Sequence, residues 1–109
     1  MANTFKLKTK ANVGVSTVGI STAPAATTTV VIGITLSNTS GSGVNVGVGI
    51  TRAGTTEDVK LLKNAPIPQG SSLEFMGGNK VVLETTDTLT VDSDTNNSVD
   101  AALTIMEIT

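Results

Sequence analysis

The residues of this chain that could do chemistry are few, and each grouping falls short of the arrangement it resembles. Asp92-x-Asp94-x-Asn96 has the opening spacing of a calcium loop, where oxygens at alternate positions surround the ion. Asn97 stands where that loop needs glycine, and Leu103 where it needs a bidentate glutamate. No entering helix is predicted. Asp and Asn are also common turn residues, so residues 92–97 read as a turn, in which Asp92, Asp94 and Asp100 could still attract a cation loosely. Glu74 and Glu84 form a nominal carboxylate pair of the glycosidase kind, but the chain has no Trp or Tyr to serve as a sugar platform. Gly41-Ser42-Gly43 and Gly47-Val48-Gly49 have neither the lysine nor the following helix of a phosphate loop. His and Cys are absent altogether. Their absence removes thiolate nucleophiles, disulfides, His- or Cys-ligated zinc and Ser–His catalysis. The expectation is a protein that is not an enzyme, with no catalytic residue, cofactor or metal ligand.

Charge points to contact instead. Seven basic against nine acidic residues give a net charge of −2, without the basic footprint of a duplex-binding protein. With Phe5 and Phe75 as the only aromatic residues, stacking of single-stranded nucleic acid is also unsupported. Lys6, Lys8 and Lys10 form a basic run with no acid before Glu57, whereas six acids and no base follow from Glu84 onward. Such ends can attract each other within a chain or between subunits; the simpler expectation is two solvated strand faces. The longest apolar run, Val30-Val31-Ile32-Gly33-Ile34, is far below a membrane span. No secretory signal pattern is visible, and the expected site of synthesis is a cytosol.

The elements that would position these residues are strands. Val, Ile and Thr make up 39 of the 109 residues, a β-branched content that favours sheet. Residues 4–10 alternate Phe5 and Leu7 with the lysines, which predicts a strand with a wet lysine face. A bulge near Ser16-Thr17 would absorb the phase change between Val15 and Val18. Val30, Ile32, Ile34 and Leu36 define one face of the clearest strand, and Val44, Val46, Val48 and Ile50 that of the next. With Asn38-Thr39-Ser40-Gly41-Ser42-Gly43 between them, these two read as a hairpin. Gly77-Gly78-Asn79 reads as a second hairpin turn, between Leu73-Phe75 and Val81-Leu83.

Eight or nine short strands without a helical segment predict an all-β fold, an antiparallel β-sandwich of jelly-roll type. The predicted core is Phe5, Leu7, Val30, Ile32, Ile34, Leu36, Val46, Val48, Ile50, Leu61, Leu73, Phe75, Leu83, Leu89, Val91, Leu103 and Ile105. The predicted organisation is a basic strand or arm over residues 1–12 and one sandwich domain over 13–109. Candidate partner-binding residues are Lys6, Lys8 and Lys10 on a guarded edge or arm. Gly47 and Gly49 join them, as a flat place on which a neighbouring subunit could lie.

Several stretches carry a family resemblance: Val30-Val31-Ile32-Gly33-Ile34-Thr35-Leu36-Ser37-Asn38-Thr39-Ser40-Gly41, Leu61-Leu62-Lys63-Asn64-Ala65-Pro66-Ile67-Pro68-Gln69-Gly70-Ser71-Ser72-Leu73-Glu74, Lys80-Val81-Val82-Leu83-Glu84, and Ser98-Val99-Asp100-Ala101-Ala102-Leu103-Thr104-Ile105-Met106-Glu107-Ile108. Together they resemble small virion structural proteins of tailed bacteriophages, notably those of cyanobacteria. The resemblance implies a virion component made in the host cytoplasm, of capsid decoration or cement type. Its partners would be the major capsid protein and further copies of itself as dimer or trimer, with no nucleic acid and no membrane. A neck, tail or fibre protein is the alternative it allows, and a carbohydrate-binding sandwich module a more distant one.

Overall fold

The computed structural model describes residues 3–52, 57–75 and 81–109. Nine strands follow in order: β1 (Asn3–Val13), β2 (Val18–Thr22), β3 (Thr28–Asn38), β4 (Val44–Arg52), β5 (Glu57–Ile67), β6 (Ser72–Phe75), β7 (Val81–Leu83), β8 (Thr88–Ser93) and β9 (Val99–Ile108). They form two antiparallel sheets. One has the order β1-β9-β3-β6, with β7 also on β3; the other has the order β2-β8-β4-β5. The pairings nest, with β1 on β9, β2 on β8, β3 on β6 and β7, and β4 on β5. This is the jelly-roll wrap of a long antiparallel ribbon folded across two facing sheets, as the sequence predicts.

Two local expectations are corrected. β3 and β4 are not a hairpin, because they lie in different sheets. The chain arches between the sheets at residues 38–43, and Asn38 holds the corner. Its buried amide Nδ2 donates to the carbonyls of Ser42 at 2.8 Å and Ile67 at 2.9 Å, while its Oδ1 accepts from Ser40 N at 2.9 Å and Ser40 Oγ at 2.7 Å. Nor do β6 and β7 pair with each other. Ile34 to Ser37 of β3 oppose Phe75 to Ser72, and Thr29 to Val31 oppose Leu83 to Val81. The two short strands therefore lie end to end along one edge of β3. The Gly77-Gly78-Asn79 turn and the Phe75 side chain lie outside the described set.

Single extra residues reset the in–out alternation. β3 carries one against β9 between Val31 and Gly33. Its inward residues are therefore Thr29 and Val31 before the bulge, and Ile34 and Leu36 after it; Val30 and Ile32 are only half-buried. β1 is bulged between Lys10 and Val13, where Asn12 adopts φ 58° and donates its N–H to Asp100 Oδ1 at 3.0 Å. A bulge is thus present in this part of the chain, but earlier than Ser16-Thr17, where the chain instead crosses to the other sheet. Each bulge turns a strand over by one residue, so apolar runs that look continuous change faces.

The core between the sheets is aliphatic. Ile34, Leu36, Val46, Val48, Ile50, Leu83, Leu89, Val91, Leu103 and Ile105 are buried as predicted, and Leu61 and Leu73 pack against them half-buried. Val31 and Ile67 join the core although the sequence pattern did not single them out. β5 runs on through Pro66 to Ile67, which an edge strand permits.

Candidate docking surface

The orientation of β1 reverses the expectation. Against β9, Lys6 lies opposite Ile105, Lys8 opposite Leu103 and Lys10 opposite Ala101. Directly opposed residues share a face, and these three β9 residues are buried in the core. The lysines therefore occupy the sandwich side of the edge strand, where their stems can follow the rim to water. Phe5 and Leu7, expected in the core, point outward and are 69% and 67% exposed. Alternation reveals two faces but not which one meets the core. Here the ladder with β9 decides it.

The basic start and acidic end of the chain meet within one molecule. Lys6 Nζ lies 2.9 Å from Oε1 of Glu107, a carboxylate buried on the inner face of β9. This replaces the picture of two separately solvated faces for that pair. Lys8 is half-buried and Lys10 exposed.

The outward side of the same sheet carries an apolar row. Phe5 lies opposite Met106, Met106 opposite Val30, and Val30 opposite Val82. The row thus crosses all four strand positions on one face, with Leu7 two residues further along β1. Met106 and Val30 are half-buried, and Val82 is 54% exposed. Phe5, Leu7 and Val82 are each more than half exposed, and an exposed apolar patch of this kind commonly marks an interaction site. Further along the same face the residues are small and polar: Thr9, Ala102 and Thr35 line a shallow concavity of about 260 Å³ with Lys10, Ser37 and Asp100.

The outer face of the second sheet is polar and closely fitted. Gly47 and Gly49 are buried in the interior strand β4. A Cβ on Gly49 would sit 2.8 Å from the Val59 carbonyl oxygen, and one on Gly47 would sit 2.6 Å from Asp92 Oδ1. What these glycines admit in the structure is the chain's own neighbouring strands. Asp92 accepts from Thr17 Oγ1 at 3.2 Å and lies 3.6 Å from Lys60 Nζ.

The remaining candidate carboxylates are engaged separately. Asp94 Oδ1 accepts from Asn45 N and Thr95 Oγ1, both at 3.1 Å, and Asp100 takes the Asn12 N–H. Among the described residues no three acidic side chains come together as a metal site. Glu84 pairs with Arg52, whose Nε lies 3.0 Å from buried Asp87; these two acids hold the guanidinium above its ordinary pKa range, Asp87 contributing most. Glu74 lies instead on β6, at the far edge of the other sheet. The sequence offered no sign of the Arg52–Asp87 contact, since the two residues are joined only by the fold.

Comparison with known proteins adds the fold class. No family model matches the chain, and no curated protein matches it. Among solved structures, one from a study of Bacillus endospore appendages, described as a family of disulfide-linked pili, superposes with a TM-score of 0.57 at 14% identity, covering 99% of this chain and 87% of that one. The acid-stable capsid of Helicobacter pylori bacteriophage KHP30 gives 0.58 at 10% identity, covering 98% and 87%. A capsid asymmetric unit of cyanophage Pam1 gives 0.41 at 10% identity over 96% and 84% of the two chains, too low to carry an argument. At these identities the first two show a shared sandwich fold and nothing finer.

Proposed function

We propose that this chain is a non-enzymatic structural protein of a phage particle, a decoration or cement protein on the capsid surface that binds the major capsid protein and further copies of itself. The observation that carries this reading is the apolar row Phe5–Met106–Val30–Val82 across the outer face of the five-stranded sheet. Its occupant would be the shell. The sandwich fold, similar to that of a phage capsid structure, and the virion-type sequence resemblance support the same direction. Binding only the assembled shell would stabilise it by mass action, and repetition over many sites would compensate for a modest area at each contact. Lys8 and Lys10, not tied down as Lys6 is, would reach acidic groups around the free edge of β1, on the side opposite the apolar row.

The test is a census of the protein in purified particles, with its position found by electron microscopy. Hundreds of copies on the head are expected. Six or twelve copies would move it to the neck or tail, and absence from particles would overturn the reading. A companion measurement is rebinding to shells stripped of the protein, where Phe5→Ser with Leu7→Ser should abolish occupancy while leaving the fold intact.

A further inference from the structure

The two sheets have four edges, and three are blunted in ways that discourage a foreign strand. β5 carries two extra residues against β4, around Asn64 and Leu61, and contains Pro66. β2 is five residues long and has a register shift between Gly19 and Ser21. β6 and β7, which share one edge of β3, are four and three residues long. β1 differs. Its ladder with β9 is unbroken over residues 3–10, and among the described residues no strand pairs with its far side. A regular row of backbone donors and acceptors is left available there.

That edge cannot readily pair with its own copy. Two identical strands laid antiparallel edge to edge keep their faces, so the lysine side of one meets the lysine side of the other. The registers that pair most of residues 3–10 oppose Lys6 with Lys6 or with Lys8 of the second copy, and like charges directly opposed are destabilising. A strand with acids at alternate positions would reverse the sign. Apolar residues at its intervening positions would continue the outward row begun by Phe5 and Leu7. No strand among the described residues has acids at two alternate positions; the occupant that this charge pattern fits is an acidic–apolar strand supplied by a second protein.

We propose that the free edge of β1 is a receptor for an extended acidic–apolar strand of another protein, added to the five-stranded sheet by backbone pairing, with Lys8 and Lys10 selecting the partner by charge. Backbone pairing would supply affinity, and alternate side chains specificity; the same lysines that admit this strand reject self-pairing. The proposal rests on the reading that the chain works by docking against proteins, but its test needs no particle. Failure here leaves the virion census standing, and the reverse also holds.

The probe is a ten-residue peptide alternating Glu and Val, with a scrambled control containing a central proline. Titration of the whole chain should show saturable binding of the alternating peptide only, weakened by added salt. Amide exchange should slow in β1 and in no other edge strand. The variant Lys8→Glu with Lys10→Glu should bind the peptide roughly tenfold or more weakly and should now accept a Lys–Val peptide. Equal binding of the scrambled control, indifference to charge reversal, no binding at millimolar peptide, or self-association of the free chain through β1 would each overturn the proposal. Exchange protection on the unmodified chain keeps the question decidable if the double variant folds poorly.

Discussion

Leu7 and Leu103 have the same side chain and occupy strands paired in one sheet, yet they should respond oppositely to truncation. Leu103 is fully buried on β9, facing the core between Lys8 on one neighbouring strand and Ile34 on the other. Leu103→Ala removes the transfer energy of the lost carbons and leaves a cavity, together about 3–4 kcal/mol. Leu7 is 67% exposed. Full burial of a leucine is worth about 1.5–3 kcal/mol, so the covered third contributes about 0.5–1 kcal/mol, with no cavity because water fills the space. For a domain of this size each kcal/mol shifts Tm by about 4–5 °C. Leu103→Ala should therefore lower Tm by about 12–20 °C and Leu7→Ala by no more than about 5 °C.

The assay is thermal unfolding followed by far-ultraviolet circular dichroism, since the chain has neither Trp nor Tyr to report by fluorescence. Leu7→Lys sharpens the comparison. On the outer face it should cost under about 1 kcal/mol, as surface substitutions usually do. On an inward face of this edge strand it would exchange covered apolar contact for a lysine reaching the rim, at about the 1.5–3 kcal/mol that full burial of a leucine is worth. A Leu7→Ala or Leu7→Lys loss approaching that of Leu103→Ala would show that β1 faces the other way and would remove the outer apolar row with it.

Asn38→Asp replaces an amide that donates to two carbonyl oxygens with oxygen facing both; it should cost about 3 kcal/mol, and a melting temperature within 5 °C of the parent's, by the scaling above, would refute the corner's role. Lys6→Met strips Glu107 of its ion pair; because Lys6 is partly solvated, about 1–2 kcal/mol is expected, and a double-mutant cycle with Glu107→Gln should show coupling between the two sites. Gly49→Ala drives a Cβ to 2.8 Å from a backbone oxygen, whereas Gly47→Ala meets a movable carboxylate first; urea unfolding should place Gly49→Ala about 1–2 kcal/mol below the parent and below Gly47→Ala. Residues 3–10 should show the fastest amide exchange of any strand paired over a comparable length, because Val13 is the only buried apolar residue of β1; protection equal to that of β9 would contradict this.

Strand content and sandwich class were legible because alternation and turn residues are local properties. Ile34, Leu36, Val46, Val48, Leu89, Val91, Leu103 and Ile105 follow directly from period-two patterning and are buried. Val30 and Ile32 do not, because Val30-Val31-Ile32 is apolar at every position and only the bulge against β9 decides which residue turns in. Phe5 and Leu7 misled for a related reason, since alternation with lysine looks like a core face beside a wet face. Strand pairing was the least legible property. Residues 38–43 and 77–79 carry strong turn chemistry, yet the strands flanking each are not partners. β4 and β5, which are partners, are joined by a stretch with weaker hairpin signals. As for the site, the lysine run was visible, but its direction was not. The apolar row was hidden because Phe5, Val30, Val82 and Met106 come from four separated segments.

The nested pairing explains why local signals ranked so poorly. Among the described strands, β4 and β5 are the one pair adjacent in sequence that also hydrogen-bond to each other; the other consecutive strands lie in different sheets, except β6 and β7, which both pair with β3. The ladder β1–β9 joins the two ends of the described chain, so nothing near residues 3–10 in sequence can disclose what they will lie against. Once β9 is the neighbour, the rest is forced. The inward side of β9 opposes the lysines, the outward side opposes Phe5 and Leu7, and an edge strand with water at its rim is where a lysine can occupy an inward position without being buried. An interior strand with the same sequence would have to turn over. The unexpected orientation of β1 and its place at the edge are therefore one fact, and the surface assigned to docking follows from both.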